Sequence, residues 1–208
     1  MQTNTIKSVL RIDSSVGATD SVSRALADEI VNRLERQNPG LSVHNHDLRH
    51  GIAAIDADWV AASYRAPAAR DAAAVRRLTE SEAAIAALDA ADIVVISAPI
   101  YNFSIPSTLK AWIDLVCRAG VTFQYTADGP QGLLRDRPVY LAMASGGVPF
   151  ASPMDFASPY LRHVLGFIGL HDVRLVGAAG VAGHRDAATT AALEQLDEWL
   201  PAIVGDAA

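Results

Sequence analysis

The sequence has 208 residues, half of them apolar and 19% charged, which suits one buried core and excludes a disordered tail. A net charge of -6 argues against a nucleic-acid partner, because such proteins need a basic face to neutralise phosphates. We find no apolar run near the roughly 20 residues that span a membrane, and residues 1–7 lack the apolar core of a signal peptide. Cys117 is the single cysteine, so no intramolecular disulfide can form, and we predict a cytoplasmic protein without a membrane partner.

Predicted strands and helices alternate along the chain. Strands are predicted from continuous or alternating apolar runs, and helices from apolar residues at helical spacing. In chain order they are a strand at 9–12, a helix at 23–36, a strand at 41–46, a helix at 79–88, a strand at 93–96, a helix at 107–118, a strand at 138–143, a helix at 158–168, a strand at 173–176 and a helix at 187–200. Residues 50–68 show no clean period and are predicted to be a long surface excursion, and residues 121–134 a hairpin-like excursion.

Alternation of this kind predicts a parallel sheet between two layers of helices. Five strands in this length suit an α/β flavodoxin-like three-layer sandwich with strand order 2-1-3-4-5. Residues 1–208 are therefore predicted to form a single domain. In such sheets a ligand binds beyond the carboxyl ends of the strands, so the loops that follow the strands are the candidate site.

The loop after the first strand, residues 14–23, is rich in serine and leads directly into a helix. A helix start offers unpaired N–H groups and the positive end of its dipole, which favour an anion. With the hydroxyls of Ser15, Ser21 and Ser23 this predicts a phosphate cradle. The alternative is that Ser21 or Ser23 only caps the helix.

Two further loops have unusual compositions. Residues 98–106 (APIYNFSIP) combine aromatic rings with Asn102 between stiffening prolines, which suits the flat rings and polar edge of a flavin. Residues 144–147 (ASGG) hold paired glycines, whose N–H groups can approach a ligand closely and stabilise negative charge on it. The alternative for residues 98–106 is a rigid loop whose aromatic rings complete the core, and the alternative for residues 144–147 is a plain turn.

Three longer segments resemble one known family, the FMN-dependent NADH-azoreductases, also described as NADH:quinone oxidoreductases. Residues 98–103 (APIYNF) are similar to its APMYNF stretch, residues 118–125 (RAGVTFQY) to its RAGVTFxY run, and residues 165–169 (LGFIG) to its LGFIG run. The resemblance covers nearly the full length. It implies a flavodoxin-like homodimer that binds FMN, takes a hydride from NADH, and then reduces quinones or azo compounds by a two-electron ping-pong mechanism.

The resemblance also implies which residues form the site. On this basis no side chain is an obligate catalyst, and Tyr125 and Phe167 lie on the substrate side of the flavin, across the dimer interface. The implied FMN contacts are Ser15, Ser21, Val22, Ser23, Ile100, Tyr101, Asn102, Phe103, Ala144, Ser145, Gly146 and Gly147.

This chain departs from the family pattern at three places. Ser145 stands where the family commonly has an arginine, Asp20 adds a negative charge beside the predicted phosphate loop, and residues 148–150 (VPF) replace a more polar stretch. The departures bear on nicotinamide affinity and on the range of acceptors.

Other functions fit the sequence less well. Residues 177–183 hold three glycines after a strand, but their spacing is not GxGxxG and they follow the last strand, which argues against a Rossmann dehydrogenase. A serine hydrolase would need GxSxG at a strand-to-helix turn. His44, His46 and His50 with Asp47 could hold a metal but equally suit a solvated edge strand. A flavodoxin-like binding or regulatory protein without turnover is the alternative from another class.

Overall fold

The computed structural model describes residues 6–17 and 19–201, so most of the polar start of the chain lies outside the described residues. Two short 3-10 turns, Leu48–His50 and Pro67–Ala69, separate longer elements. Those elements are β1 (Ser8–Asp13), α1 (Val22–Gln37), β2 (Ser42–Asp47), α2 (Ala57–Tyr64), α3 (Ala72–Ala90), β3 (Ile93–Pro99), α4 (Ser107–Val116), β4 (Phe123–Thr126), β5 (Gly129–Gly132), β6 (Val139–Ser145), α5 (Ser158–Phe167), β7 (Val173–Ala179) and α6 (Val181–Trp199).

Five strands form one sheet in the order β2-β1-β3-β6-β7, and every neighbouring pair is parallel. Every residue of β3 and β6 is buried, because helices cover both faces of the central strands. Counted along this sheet alone, the order is the predicted 2-1-3-4-5. The predicted excursion at 121–134 contains a separate antiparallel hairpin, β4–β5, which is an addition to the predicted five-stranded fold.

The core has one large cluster on each face of the sheet. On one face α1 and α6 pack through residues such as Leu26, Ile30 and Leu196. On the other face α3, α4 and α5 pack through residues such as Leu88, Trp112 and Leu161. Each helix buries one apolar stripe, which is the arrangement that stabilises a layered α/β domain.

The prediction of an irregular surface excursion at 50–68 is wrong in part, because α2 lies inside it. Asp56 caps this helix by accepting a hydrogen bond from the Trp59 N–H at 2.8 Å. Trp59 and Ala62 are buried against Leu78 and Leu115. A helix of 8 residues is too short to show a period in the sequence, which is why its pattern was not visible.

Two further boundaries differ from the prediction for a related reason. Helix α3 begins at Ala72 rather than 79, after Asp71, whose carboxylate accepts from the Ala74 N–H at 2.8 Å. Helix α6 begins at Val181 rather than 187 and has non-helical angles at His184. Residues 72–78 (AAAVRRL) and 181–186 (VAGHRD) lack large apolar residues at repeated helical spacing, so the sequence there offers little contrast between a buried and an exposed face.

Among the described residues, no helix combines the length and the apolar character that a membrane crossing requires. Within the same residues, no group of three or more histidine, cysteine, aspartate or glutamate side chains is arranged to hold a metal ion. His44 lies exposed on β2, the edge strand of the sheet, with its Nε2 atom 3.4 Å from the Ser42 hydroxyl.

Candidate functional site

The first loop places three hydroxyls at the start of α1. Ser21 is the N-cap, and its Oγ accepts a hydrogen bond from the Arg24 N–H at 3.4 Å. The Oγ atoms of Ser21 and Ser23 are 3.1 Å apart, and Ser15 Oγ accepts from the Gly17 N–H at 3.3 Å. The loop brings all three hydroxyls to the N-terminus of α1. Capping of the helix by Ser21 therefore does not exclude anion binding by the same group of serines.

The buried side chain of Arg24 stabilises this loop. Its buried guanidinium donates to the Ser15 carbonyl at 2.8 Å and pairs with Asp13 at 3.2 Å and Asp47 at 2.8 Å. Asp13 also accepts a hydrogen bond from the Ser97 hydroxyl at 2.6 Å, which ties β1 to β3. Because two carboxylates balance Arg24, its charge serves the shape of the loop rather than a bound anion.

The ion pair between Asp47 and Arg24 makes the stability of the protein depend on pH. Burial alone would raise the pKa of Asp47, but hydrogen bonds from Arg24 and Arg49 outweigh it and lower the pKa to about 2. The stabilisation is therefore complete above the unfolded pKa near 4 and is lost as the pH falls toward 2.

We expect Asp47→Asn to cost roughly 2 kcal/mol of unfolding free energy at pH 5, and this deficit should shrink between pH 4 and pH 2. Urea unfolding of both proteins across that range measures it. A deficit that stays constant down to pH 2 would contradict the assigned pairing.

The second loop contains a strained turn. Asn102 and Phe103 have positive φ angles of 49° and 69°. Tyr101 and Ser104 exchange backbone hydrogen bonds of 2.9 and 3.0 Å around them, which makes a tight turn of the kind that needs two left-handed residues. Asparagine tolerates this conformation, whereas phenylalanine rarely adopts it. Strain held at a strand end beside a cavity is typical of functional loops.

Substitutions at Phe103 separate this strain from the contribution of the ring. Both Phe103→Ala and Phe103→Gly remove the ring, but only glycine removes the Cβ that the left-handed conformation disfavours. We expect the glycine variant to be about 1 kcal/mol more stable than the alanine variant in urea unfolding. If alanine were the more stable replacement, the turn would not have the geometry described.

The third loop is fastened to the start of α6. Ser145 is buried, and its Oγ accepts from the Val148 N–H at 2.7 Å. The carbonyls of Ser145 and Gly146 accept from the N–H groups of Gly180 at 2.9 Å and Ala182 at 3.2 Å. Beyond the glycines, the Phe150 ring covers Gly177 so closely that a Cβ there would lie 2.6 Å from it. The departures Ser145 and Phe150 thus hold the loop in place on β7 and α6.

The three loops meet at one cavity of about 480 Å³. Tyr101 of the second loop contacts the serine loop at this cavity, because the Tyr101 and Ser15 hydroxyls lie 3.4 Å apart. Of the predicted flavin contacts, Ser15, Ser21, Val22, Ser23, Ile100, Tyr101, Ala144 and Gly146 line it. Asn102 lines a neighbouring cavity of about 590 Å³, which shares Tyr101 with the first. Phe103 and Gly147 lie exposed beside them, and Ser145 lies buried below.

The predicted substrate-side aromatics lie together on another part of the chain. Phe123 links them, with ring centroids 5.6 Å from Tyr125 and 4.4 Å from Phe167. Tyr125 on β4 is 74% exposed, and Phe167 at the end of α5 is half-buried. Both belong to this aromatic group rather than to the lining of the two cavities described above.

The sequence analysis missed several residues of the cavity. Val181 and Arg185 of α6 line it, as do Val16, Gly17 and Pro99. Val16, Gly17 and Pro99 follow from their places in loops already identified. Val181 and Arg185 carry no local signal, because they belong to the site only through the packing of the last helix against the sheet.

Cys117 follows α4 and is partly buried. Burial, with a smaller effect of Asp114, raises the pKa of its thiol to about 12. The thiol therefore stays protonated at neutral pH, and a thiolate role in redox chemistry is disfavoured.

Comparisons with known proteins agree with this geometry. Residues 7–200 match the family described as having a flavodoxin-like fold. FMN-dependent NADH:quinone oxidoreductase 1 of Jannaschia sp. (strain CCS1) is 44% identical over 189 residues, which cover 91% of this chain and 96% of that protein. The protein of the same name from Hahella chejuensis is 44% identical over 173 residues, 83% of this chain and 85% of its own.

Among solved structures, an azoreductase from Bacillus anthracis str. Sterne superposes with a TM-score of 0.84 at 26% identity, covering 94% of this chain and 99% of that one. The expected fold and family are therefore confirmed. The chain belongs to the flavodoxin-like family of FMN-dependent NADH:quinone oxidoreductases.

Proposed function

We propose that this protein binds FMN and uses NADH to reduce quinones or aromatic azo compounds. The observation that carries the proposal is the cavity in which the serine loop, the Tyr101 loop and the glycine loop meet at the carboxyl edge of the sheet. This edge is where flavodoxin-like sheets bind their ligands. The names of the relatives, quinone oxidoreductase and azoreductase, support the two acceptor classes.

The serine loop has the donors and the room that a phosphate needs. A Cβ added at Gly17 would stand 3.6 Å from Ser15 Oγ and 3.7 Å from Ser21 Cβ, so a methyl group would occupy the cradle between the two serines. Glycine leaves this space to a ligand, and the hydroxyls of Ser15, Ser21 and Ser23 surround it. Val22 adds the first helical turn, whose N–H groups favour an anion.

The other two loops suit the flavin ring. Ile100 and Tyr101 offer apolar surface at the cavity wall, and Ala144 and Gly146 line it beside them, with the Ile100 N–H donating to the Ala144 carbonyl at 2.8 Å. We assign the polar edge of the ring to Asn102, which can donate and accept, and to the backbone of Gly146 and Gly147. Phe103 lies exposed at the rim of the cavity. Ser145 stabilises the third loop by accepting a hydrogen bond from the Val148 N–H.

When bound, FMN supplies the hydride and electron transfer that protein side chains do not offer. The residues of this chain position the ring, shape the stacking surface and exclude water from it. With FMN in place, this one cavity would receive NADH and the acceptor in turn, which corresponds to a ping-pong mechanism. Initial rates at several fixed quinone concentrations should give parallel double-reciprocal lines, and intersecting lines would contradict a shared pocket.

We further propose that the active form is a homodimer in which Tyr125 and Phe167 of one protomer complete the acceptor pocket of the other. The 74% exposure of Tyr125 on a projecting hairpin supports this role, because an aromatic ring so exposed is available to a second chain. We also assign residues 1–208 to one domain that works in the cytoplasm, as the composition suggests.

Sedimentation velocity should show the active protein at twice the mass of one chain. Tyr125→Ser should lower kcat/KM for quinones by about tenfold, which corresponds to one lost aromatic stacking contact, without changing FMN affinity. An active monomer would overturn the dimer proposal.

A further inference from the structure

The first turn of α6 bridges two loops of the flavin site. Its N–H groups at Gly180 and Ala182 donate to the carbonyls of the third loop, at 2.9 and 3.2 Å. Three residues farther on, an Nη atom of Arg185 donates to the carbonyl of Asp20 in the first loop at 2.8 Å. The non-helical angles at His184, with φ of -141° and ψ of 53°, lie between these two attachments. Arg185 therefore lies in the cavity lining, with its exposed side chain joined to the first loop and its helix joined to the third.

The charges around the cavity favour a cation beside a bound phosphate. Among the described residues that line it, Asp20 is the one acid and Arg185 the one base. A phosphate group brings about two negative charges, which Asp20 would repel at short range. Arg24 does not compensate, because it is already paired with Asp13 and Asp47.

We propose that Arg185 binds the phosphate of FMN and makes this site select FMN over riboflavin. The inference rests on the proposed function. Hydrogen bonding to the Asp20 carbonyl uses one of the five N–H donors of the guanidinium and fixes its plane. Other N–H donors of the fork remain for phosphate oxygens, which is the pairing that arginine geometry favours. The last helix thereby supplies a positive charge beside the serine loop.

Equilibrium titration with FMN and with riboflavin, followed by quenching of flavin fluorescence, tests this assignment without any assay of activity. Arg185→Gln keeps a polar side chain with N–H donors but removes the charge. We expect it to weaken FMN binding by about tenfold, the lower end for a hydrogen bond to a charged group, and to leave riboflavin binding unchanged. Arg185→Lys should recover part of the FMN affinity. The matched control is Arg65→Gln, which removes the same charge from an exposed pair with Asp71 and should change neither affinity.

Salt provides a second readout, since the advantage of wild type over Arg185→Gln should shrink as ionic strength rises. Equal losses for FMN and riboflavin would show that Arg185 only supports the fold, and unchanged binding of both would show no role. Either result overturns the inference. If the wild-type protein bound neither flavin, the proposed function itself would fail and the inference with it.

Discussion

Replacing Ser21 and Ser23 together by alanine should weaken FMN binding by about 100-fold or more, because each hydroxyl lost from a phosphate removes at least about 1.5 kcal/mol. Their Oγ atoms lie 3.1 Å apart at the first turn of α1, close enough to contact one phosphate together. Riboflavin, which has no phosphate, should bind both proteins equally. Fluorescence titration with the two flavins measures the difference.

A control is needed because Ser21 is also the N-cap of α1, and its loss should cost about 1 kcal/mol of stability. Asp71→Ala removes the N-cap of α3, which contacts the Ala74 N–H, and costs a similar amount away from the serine loop. This control should retain FMN affinity. If Ser21→Ala with Ser23→Ala bound FMN as tightly as wild type, the phosphate would lie elsewhere.

The largest effect on stability is expected at Arg137, just before β6. Its buried guanidinium donates to the carbonyls of Leu88, Asp89 and Ala91 at 2.7, 2.8 and 2.5 Å, and so satisfies the end of α3. Arg137→Met fills the space but leaves those carbonyls without a donor. We expect a loss of about 3 kcal/mol in unfolding free energy, because buried acceptors that lose their partner are costly.

The melting temperature should fall by roughly 6–12 °C for that loss in a chain of this size. Calorimetry of Arg137→Met measures it, and Arg135→Met, on a side chain 56% exposed, should shift the temperature by less than about 2 °C. Flavin affinity should not change, because Arg137 precedes β6 while the cavity lies beyond the opposite ends of the strands. Equal stability of the two variants would show that the three hydrogen bonds do not stabilise α3.

The sequence could predict the position of the site because the fold determines it. Apolar strands at β1, β3 and β6 are recognisable without a structure, and their carboxyl ends must meet at one edge of a parallel sheet. The sequence therefore predicts that the serines of residues 14–23 and the glycines of residues 144–147 belong to one site, and both loops line the cavity. The same reasoning does not show that Asn102 and Phe103 form a strained turn, because phenylalanine is not a residue that predicts positive φ.

Other features depend on contacts between distant parts of the chain. Arg185 reaches Asp20 across 165 positions, so no local pattern could assign it to the site. The sequence does not indicate α2, because a helix of 8 residues is too short to show a period, and it does not mark the start of α3, whose buried face there includes Ala74. Arg24 and Arg137 read as ordinary surface arginines in the sequence, and only burial beside carboxylates or carbonyls reveals their roles.

Anaerobic reduction of the FMN-loaded protein by NADH, followed in the visible absorbance, tests the central claim most directly. We expect the flavin bands to bleach on adding NADH and to return when a quinone is added in place of oxygen, so that both half-reactions occur at one site. Flavin bands that NADH leaves unchanged, in protein shown to hold FMN, would contradict the proposed reductase and would favour a flavodoxin-like binding protein without turnover.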